Sequence, residues 1–137
     1  MEHVAERAAA AEAGHAFASS QRDLFSRADV VSLHVPLTAE TRGLVTVDDL
    51  AAMRPGSLLV NTARAGLVAE GALVPALAAG CPAFAAVDVF DEEPAVGDEL
   101  LRLPNVVATP HLGYVERDTY EQYFGEAFRN LLAFAEG

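Results

Sequence analysis

Four short apolar runs constrain this chain more than any other feature: Val30–Val35, closed by Pro36; Ser57–Asn61; Ala83–Val87; and Val106–Ala108. The first is rich in β-branched residues and too short for a helix, so it reads as a strand buried on both faces. Helical segments separate the runs. Thr46-Val47-Asp48-Asp49 resembles a capping box opening a helix that carries Leu50 and Met53 and stops at Pro55-Gly56. Glu70 to Ala79 predicts a second helix, ending at Gly80. Pro75 is compatible with it only if the helix begins near Gly71, where the first turn needs no N–H bonds. Asp118 to Glu136 predicts a long last helix with an apolar stripe of Tyr120, Phe124, Phe128, Leu131 and Leu132, capped by Asp118 with Glu121. Strand and helix alternating over connections of a few residues predict βαβ units: an α/β fold with a parallel sheet and helices on both faces.

The N-terminal part is less constrained. Glu2 to Ala13 is alanine-rich and favours a helix stopped by Gly14, His15 to Ser19 reads as a short strand, and Asp23 to Ala28 as a brief helix with Leu24 and Phe25 facing inward. The 137 residues suffice for a single domain with its own core.

Charge excludes whole classes of partner. The formal net charge is −11 and there is no lysine, a balance that repels nucleic acid and anionic membranes. An anionic small molecule needs local positive charge, and here arginine must supply it. Although 52% of the residues are hydrophobic, much of that is alanine, and no apolar run approaches the ~20 residues of a membrane span. Met1-Glu2-His3 lacks the start of a signal peptide. Cys81 is the only cysteine, which leaves no internal disulfide and no cysteine zinc site. These features point to the cytoplasm.

In an open α/β sheet, ligands bind beyond the carboxyl ends of the strands. Here those ends carry His34-Val35-Pro36, then Asn61-Thr62-Ala63-Arg64, then Asp88 continuing to Glu93-Pro94, and Thr109-Pro110-His111-Leu112-Gly113. One sheet edge thus receives an arginine, two carboxylates and a histidine. The Arg64 guanidinium matches a carboxylate with two parallel hydrogen bonds. His111 can exchange a proton near neutral pH. Glu93 can orient its imidazole. Asp88, at a buried strand end, is expected to accept hydrogen bonds from a ligand or the backbone. The other histidines, His3, His15 and His34, lack metal-ligand spacing, and no metal site is expected. There is no G-x-S-x-G elbow and no P-loop.

The segments Ala28–Leu37, Thr41–Leu44, Met53–Gly56, Leu59–Arg64, Val87–Phe90, Glu93-Pro94 and Pro104–His111 together resemble, in order and spacing, the D-isomer specific 2-hydroxyacid dehydrogenases. The resemblance implies a partial Rossmann-like, doubly wound dinucleotide-binding domain spanning residues 1–137, with residues 118–136 as its C-terminal helix. It implies NAD or NADP as cofactor and a 2-keto or 2-hydroxy acid as substrate. Arg64 would hold the substrate, His111 would be the general acid–base and Glu93 its partner. His34, Val35, Thr62, Ala63, Arg64, Asp88, His111 and Gly113 would line the nicotinamide half of the cofactor site. Formate dehydrogenases of the same superfamily pair the histidine with glutamine, so Glu93 favours a hydroxy acid. Ala65 replaces the glycine that usually follows the arginine, with Gly66 next.

No G-x-G-x-x-G occurs in the chain, so the phosphate-binding βαβ unit is expected upstream of Met1 and the substrate domain elsewhere. The polypeptide alone is expected to bind NAD(H) weakly, to turn over little, and to self-associate into a homo-oligomer. The competing readings are a non-catalytic binding or assembly module on a degenerate half-fold, and a truncated gene.

Overall fold

The computed structural model describes residues 8–137. Its elements run α1 (Gln21–Arg27), β1 (Val30–Leu33), α2 (Val47–Ala52), β2 (Leu58–Asn61), α3 (Leu73–Ala79), β3 (Phe84–Val87), β4 (Val106–Ala108) and α4 (Arg117–Glu136). Short 3-10 turns at Ala65–Leu67 and Glu99–Arg102 interrupt two of the connections. The four strands form one parallel sheet in the order β1-β2-β3-β4, in register Val30–Leu58–Phe84 and Ala85–Val106.

Local chemistry sets most boundaries. The Thr46 hydroxyl accepts from the Asp49 N–H, and the Asp49 carboxylate accepts from the Thr46 N–H at 2.9 Å, closing the capping box of α2. Burial opposes ionisation of Asp49, but hydrogen bonds from Thr46 and Gln21 and the charge of Arg22 outweigh it and hold the carboxyl below its ordinary range. Helix α3 starts after Ala72, which places Pro75 in the first turn, and it ends at Gly80 in the left-handed conformation (φ 82°).

The core lies on one side of the sheet. Val31, Leu33, Leu59, Ala85 and Val87 point to it and meet Phe25, Leu50, Leu67, Leu73 and Leu77 from the helices and turns. On the other side Val30, Phe84 and Val107 are exposed. The expectation of β1 as a strand buried on both faces is therefore corrected to an alternating pattern, which β3 shares. The reason is topological. Right-handed crossovers between parallel strands laid side by side in chain order all pass over the same face.

Other local readings also change. No strand forms at 15–19, where the backbone is irregular. In α1 only Phe25 faces inward, while Leu24 is exposed. Residues 8–12 are helical and Gly14 follows at φ 82°, as expected of the first helix; Glu2 to Arg7, including His3, lie outside the described residues. Helix α4 is capped at Glu116 without a side-chain bond to its backbone, so the Asp118–Glu121 cap does not form. None of its residues is buried, and its stripe of Tyr120, Phe124, Phe128, Leu131 and Leu132 faces outward.

Candidate active site

The carboxyl ends of β2, β3 and β4 open onto a cleft of about 440 Å³ lined by Thr62, Arg64, Asp88, His111, Gly113 and Tyr114. This lies within the ~300–1,000 Å³ usual for small-molecule sites.

Asn61, the buried last residue of β2, begins the site. Its side-chain oxygen accepts from the Ala63 N–H at 3.1 Å, and its amide donates to the Arg64 carbonyl at 2.9 Å. These bonds bend the chain as an Asx turn does and deliver Arg64 to the cleft. Arg64 is exposed, donates once to the Ala63 carbonyl, and forms no ion pair among the described residues, so most of its donors face outward. The following Ala65 opens a 3-10 turn with ordinary negative φ, a conformation that does not require glycine. Gly66 is the tighter position: a Cβ there would lie 3.0 Å from an Arg42 guanidinium nitrogen and 3.1 Å from Leu37, side-chain ends that would have to shift by a few tenths of an ångström.

Asp88 follows β3 and is 3% exposed. Its carboxylate accepts from the Thr109 hydroxyl, from the Leu112 N–H at 2.7 Å and from the Gly113 N–H at 2.7 Å. Burial opposes its ionisation, but these three donors and the charge of His111 outweigh it and hold the carboxyl below the usual range. The two backbone donors belong to the turn just after His111, which adopts φ 56°, a left-handed conformation uncommon for a residue with a Cβ. Asp88 thus clamps the strained turn that carries the imidazole. Gly113 permits this closeness, since a Cβ there would come within 3.0 Å of the Asp88 carboxylate.

Glu93 reaches His111 from the other side. Its carboxylate oxygens lie 2.8 and 3.0 Å from Nδ1, and one also accepts from the Phe90 N–H at 3.2 Å. The His111 bond, the Phe90 N–H and the charges of His111 and Arg64 hold the Glu93 carboxyl below its ordinary range, against a small opposing effect of burial. With a carboxylate at Nδ1, that nitrogen carries the proton, and Nε2 is left for whatever enters the cleft.

Arg64, Glu93 and His111, far apart in sequence, are therefore gathered with Asp88 at one edge. Thr62 and Gly113 line the same cleft, while Ala63 contributes its backbone to the turn. His34 and Val35 sit beyond β1 and do not line it; the His34 imidazole bonds back to the Ser32 hydroxyl at 2.8 Å. Sequence reasoning missed two residues. Asn61 was legible only as a strand end, although asparagine followed by a sharp turn is a usable signal. Tyr114 gave none, because its position beside His111 depends on the turn.

The residues suit a nicotinamide beside a small anionic carbonyl compound: one guanidinium with no ion pair among the described residues, one imidazole nitrogen free to exchange a proton, and a carboxylate at the wall bonded to the Gly113 N–H. They do not suit a diphosphate, because among the described residues Arg64 is the only arginine or lysine lining the cleft and none of the lining residues opens an α-helix.

Comparison with known proteins identifies the family. Residues 2–113 match the family model of the D-isomer specific 2-hydroxyacid dehydrogenase NAD binding domain. The chain is 42% identical over 114 residues to a glyoxylate reductase of Thermococcus litoralis, covering 83% of this chain and 34% of that protein. The crystal structure of a phosphoglycerate oxidoreductase from Vibrio cholerae O395 superposes with a TM-score of 0.86 at 51% identity, over 96% of this chain and 42% of that one. A D-isomer specific 2-hydroxyacid dehydrogenase from Xanthobacter autotrophicus Py2, solved with NADPH and MES, superposes with a TM-score of 0.63 at 41% identity, over 67% of this chain and 30% of that one. The chain thus spans roughly a third to two-fifths of these proteins. By matched sequence, by sheet topology and by the residues at its strand ends, it belongs to the NAD-binding domain family of the D-isomer specific 2-hydroxyacid dehydrogenases.

Proposed function

We propose that this chain is a single partial dinucleotide-binding domain that supplies the catalytic half of an NAD- or NADP-dependent oxidoreductase. That enzyme would interconvert 2-keto acids and D-2-hydroxy acids in the cytoplasm. The observation that carries the reading is the convergence of Arg64, Asp88 and His111 on one cleft, with Glu93 bonded to the far nitrogen of the imidazole.

Each group has a task that its chemistry suits. Arg64 pairs with the substrate carboxylate and polarises its carbonyl. His111, held through Nδ1 by Glu93, gives a proton from Nε2 to the carbonyl oxygen on reduction and takes it back on oxidation. Asp88 and Gly113 line the cleft and are the residues that would hold the nicotinamide. When bound, the cofactor supplies or accepts the hydride. Glu93 as the partner of the histidine supports a hydroxy acid over formate. The test is a chimera in which this chain replaces the matching third of the T. litoralis glyoxylate reductase. NADH-dependent reduction of glyoxylate or hydroxypyruvate supports the reading; a chimera that folds and binds NADH but transfers no hydride defeats it.

The 137-residue polypeptide by itself is expected to bind NADH weakly and to turn over little. A dinucleotide is normally anchored by backbone N–H groups at a helix N-terminus on its diphosphate, and among the described residues none that lines this cleft opens an α-helix. Calorimetric titration giving micromolar affinity, together with clear turnover of glyoxylate, would contradict this.

A second reading, assembly, is favoured by a separate observation. Val30, Phe84 and Val107 on the open sheet face and the stripe of α4 expose large apolar side chains that water solvates poorly. The outer edge of β1 also has no partner strand among the described residues. Self-association into a homodimer or larger assembly is expected, through α4 or a strand edge. Light scattering that finds a stable monomer at high concentration rejects it.

A further inference from the structure

We propose that Tyr114 is a positioning residue that holds the His111 imidazole in one rotamer, from the cleft side, while Glu93 holds it from behind. The proposal rests on the reading of His111 as the group that exchanges a proton. The imidazole divides two cavities. Tyr114 lines the cleft with Arg64 and Asp88, whereas Glu93 lines a smaller apolar cavity of about 260 Å³ with Phe90, Pro94 and Leu101; only His111 faces both. The Glu93 bond fixes Nδ1 but leaves the ring free to pivot about that contact and swing into the cleft. Tyr114 blocks that swing. Its ring meets the imidazole edge-on, with centroids 6.0 Å apart and planes at 81°, an arrangement that aromatic quadrupoles favour.

Two further observations separate this role from ordinary packing. The Tyr114 side chain is 59% exposed and stands outside the hydrophobic core, so its ring contributes little to holding the fold together. Its backbone, by contrast, is fixed: the Gly113 N–H donates to Asp88, and the Val115 N–H donates to the Leu112 carbonyl at 2.8 Å. A ring mounted on an immobilised turn acts as a stop for its neighbour. The phenol hydroxyl has no partner among the described residues, so the ring is the acting part.

The test uses the 137-residue chain with isotope-labelled histidine. In the unaltered protein, NMR is expected to show a cross-peak between the Tyr114 and His111 rings and Hα–Hβ couplings of His111 typical of a single rotamer. Tyr114→Leu loses the cross-peak and averages those couplings while the backbone amide spectrum stays folded. Tyr114→Phe retains both features. A native protein without the cross-peak, a folded Tyr114→Leu whose His111 couplings stay those of one rotamer, or a Tyr114→Phe that behaves like leucine overturns the proposal. If the leucine variant does not fold, the native cross-peak and the phenylalanine variant decide it. The readout needs no turnover, so a failed dehydrogenase reading and a failed positioning role give different results.

Discussion

His111→Gln in the chimeric glyoxylate reductase is expected to lower kcat by about 100- to 10,000-fold, the span over which a positioned general acid contributes. Glutamine can still donate a hydrogen bond to a carbonyl oxygen, but it cannot give up a proton as the hydride arrives, so stabilisation of the developing alkoxide is lost at the transition state. KM should change much less if, as proposed, Arg64 supplies the charge that binds the carboxylate. Stopped-flow measurement of NADH oxidation separates the two. A variant that keeps more than about a tenth of the parent kcat would mean that the proton comes from another donor, since the loss would lie well below that span. Glu93→Gln is the informative companion. It keeps an acceptor near Nδ1 but removes the charge, so its defect should fall between the parent and His111→Gln.

Asp88→Ala is expected to be the most damaging single change outside the apolar core, destabilising the fold by about 3 kcal/mol. It leaves two backbone N–H groups and a hydroxyl in a part-buried setting without their acceptor; each would cost roughly 1–3 kcal/mol if fully buried and less where water reaches it. The left-handed backbone of His111 then loses the two bonds that clamp its turn from the far side, so the turn should relax and shift the imidazole in the cleft. Urea denaturation measures the first effect, and loss of the His111–Tyr114 cross-peak reports the second. Because the native carboxyl titrates below its ordinary range, near 3.9 in an unfolded chain, its contribution is complete above that pH. It disappears as pH falls through the lower native value. The stability gap between the parent and Asp88→Asn should therefore narrow as pH falls below about 4. A gap that does not depend on pH would show that the carboxylate charge plays no part.

The open sheet face is where local sequence and global structure diverge most. Val30, Phe84 and Val107 are hydrophobic enough to read as buried, and a strand with Val, Leu or Phe at each step looks the same whether one face is covered or both. The number of covered faces depends on how strands are ordered across the sheet. The order β1-β2-β3-β4 sends its crossovers over one side. Helix α4 makes the same point: its 3.6-residue apolar period predicted the helix correctly, but periodicity carries no information on what the stripe meets.

Residue type and short-range order alone were enough for the four strands of the sheet though not for the irregular stretch at 15–19, for the Thr46–Asp49 capping box, for the placement of Pro75 in a first helical turn, and for gathering Arg64, Asp88 and His111 at strand ends. These depend on backbone propensity and on the rule that parallel strands present their carboxyl ends to one edge, both of which operate over a few residues. Only the folded chain could decide that Asp88 clamps the His111 turn, that Asn61 aims Arg64, that His34 turns back to Ser32 away from the cleft, and that Tyr114 stands against the imidazole. Each of these is set by distances of a few ångströms between groups brought together by packing, and such distances leave no periodic trace along the chain.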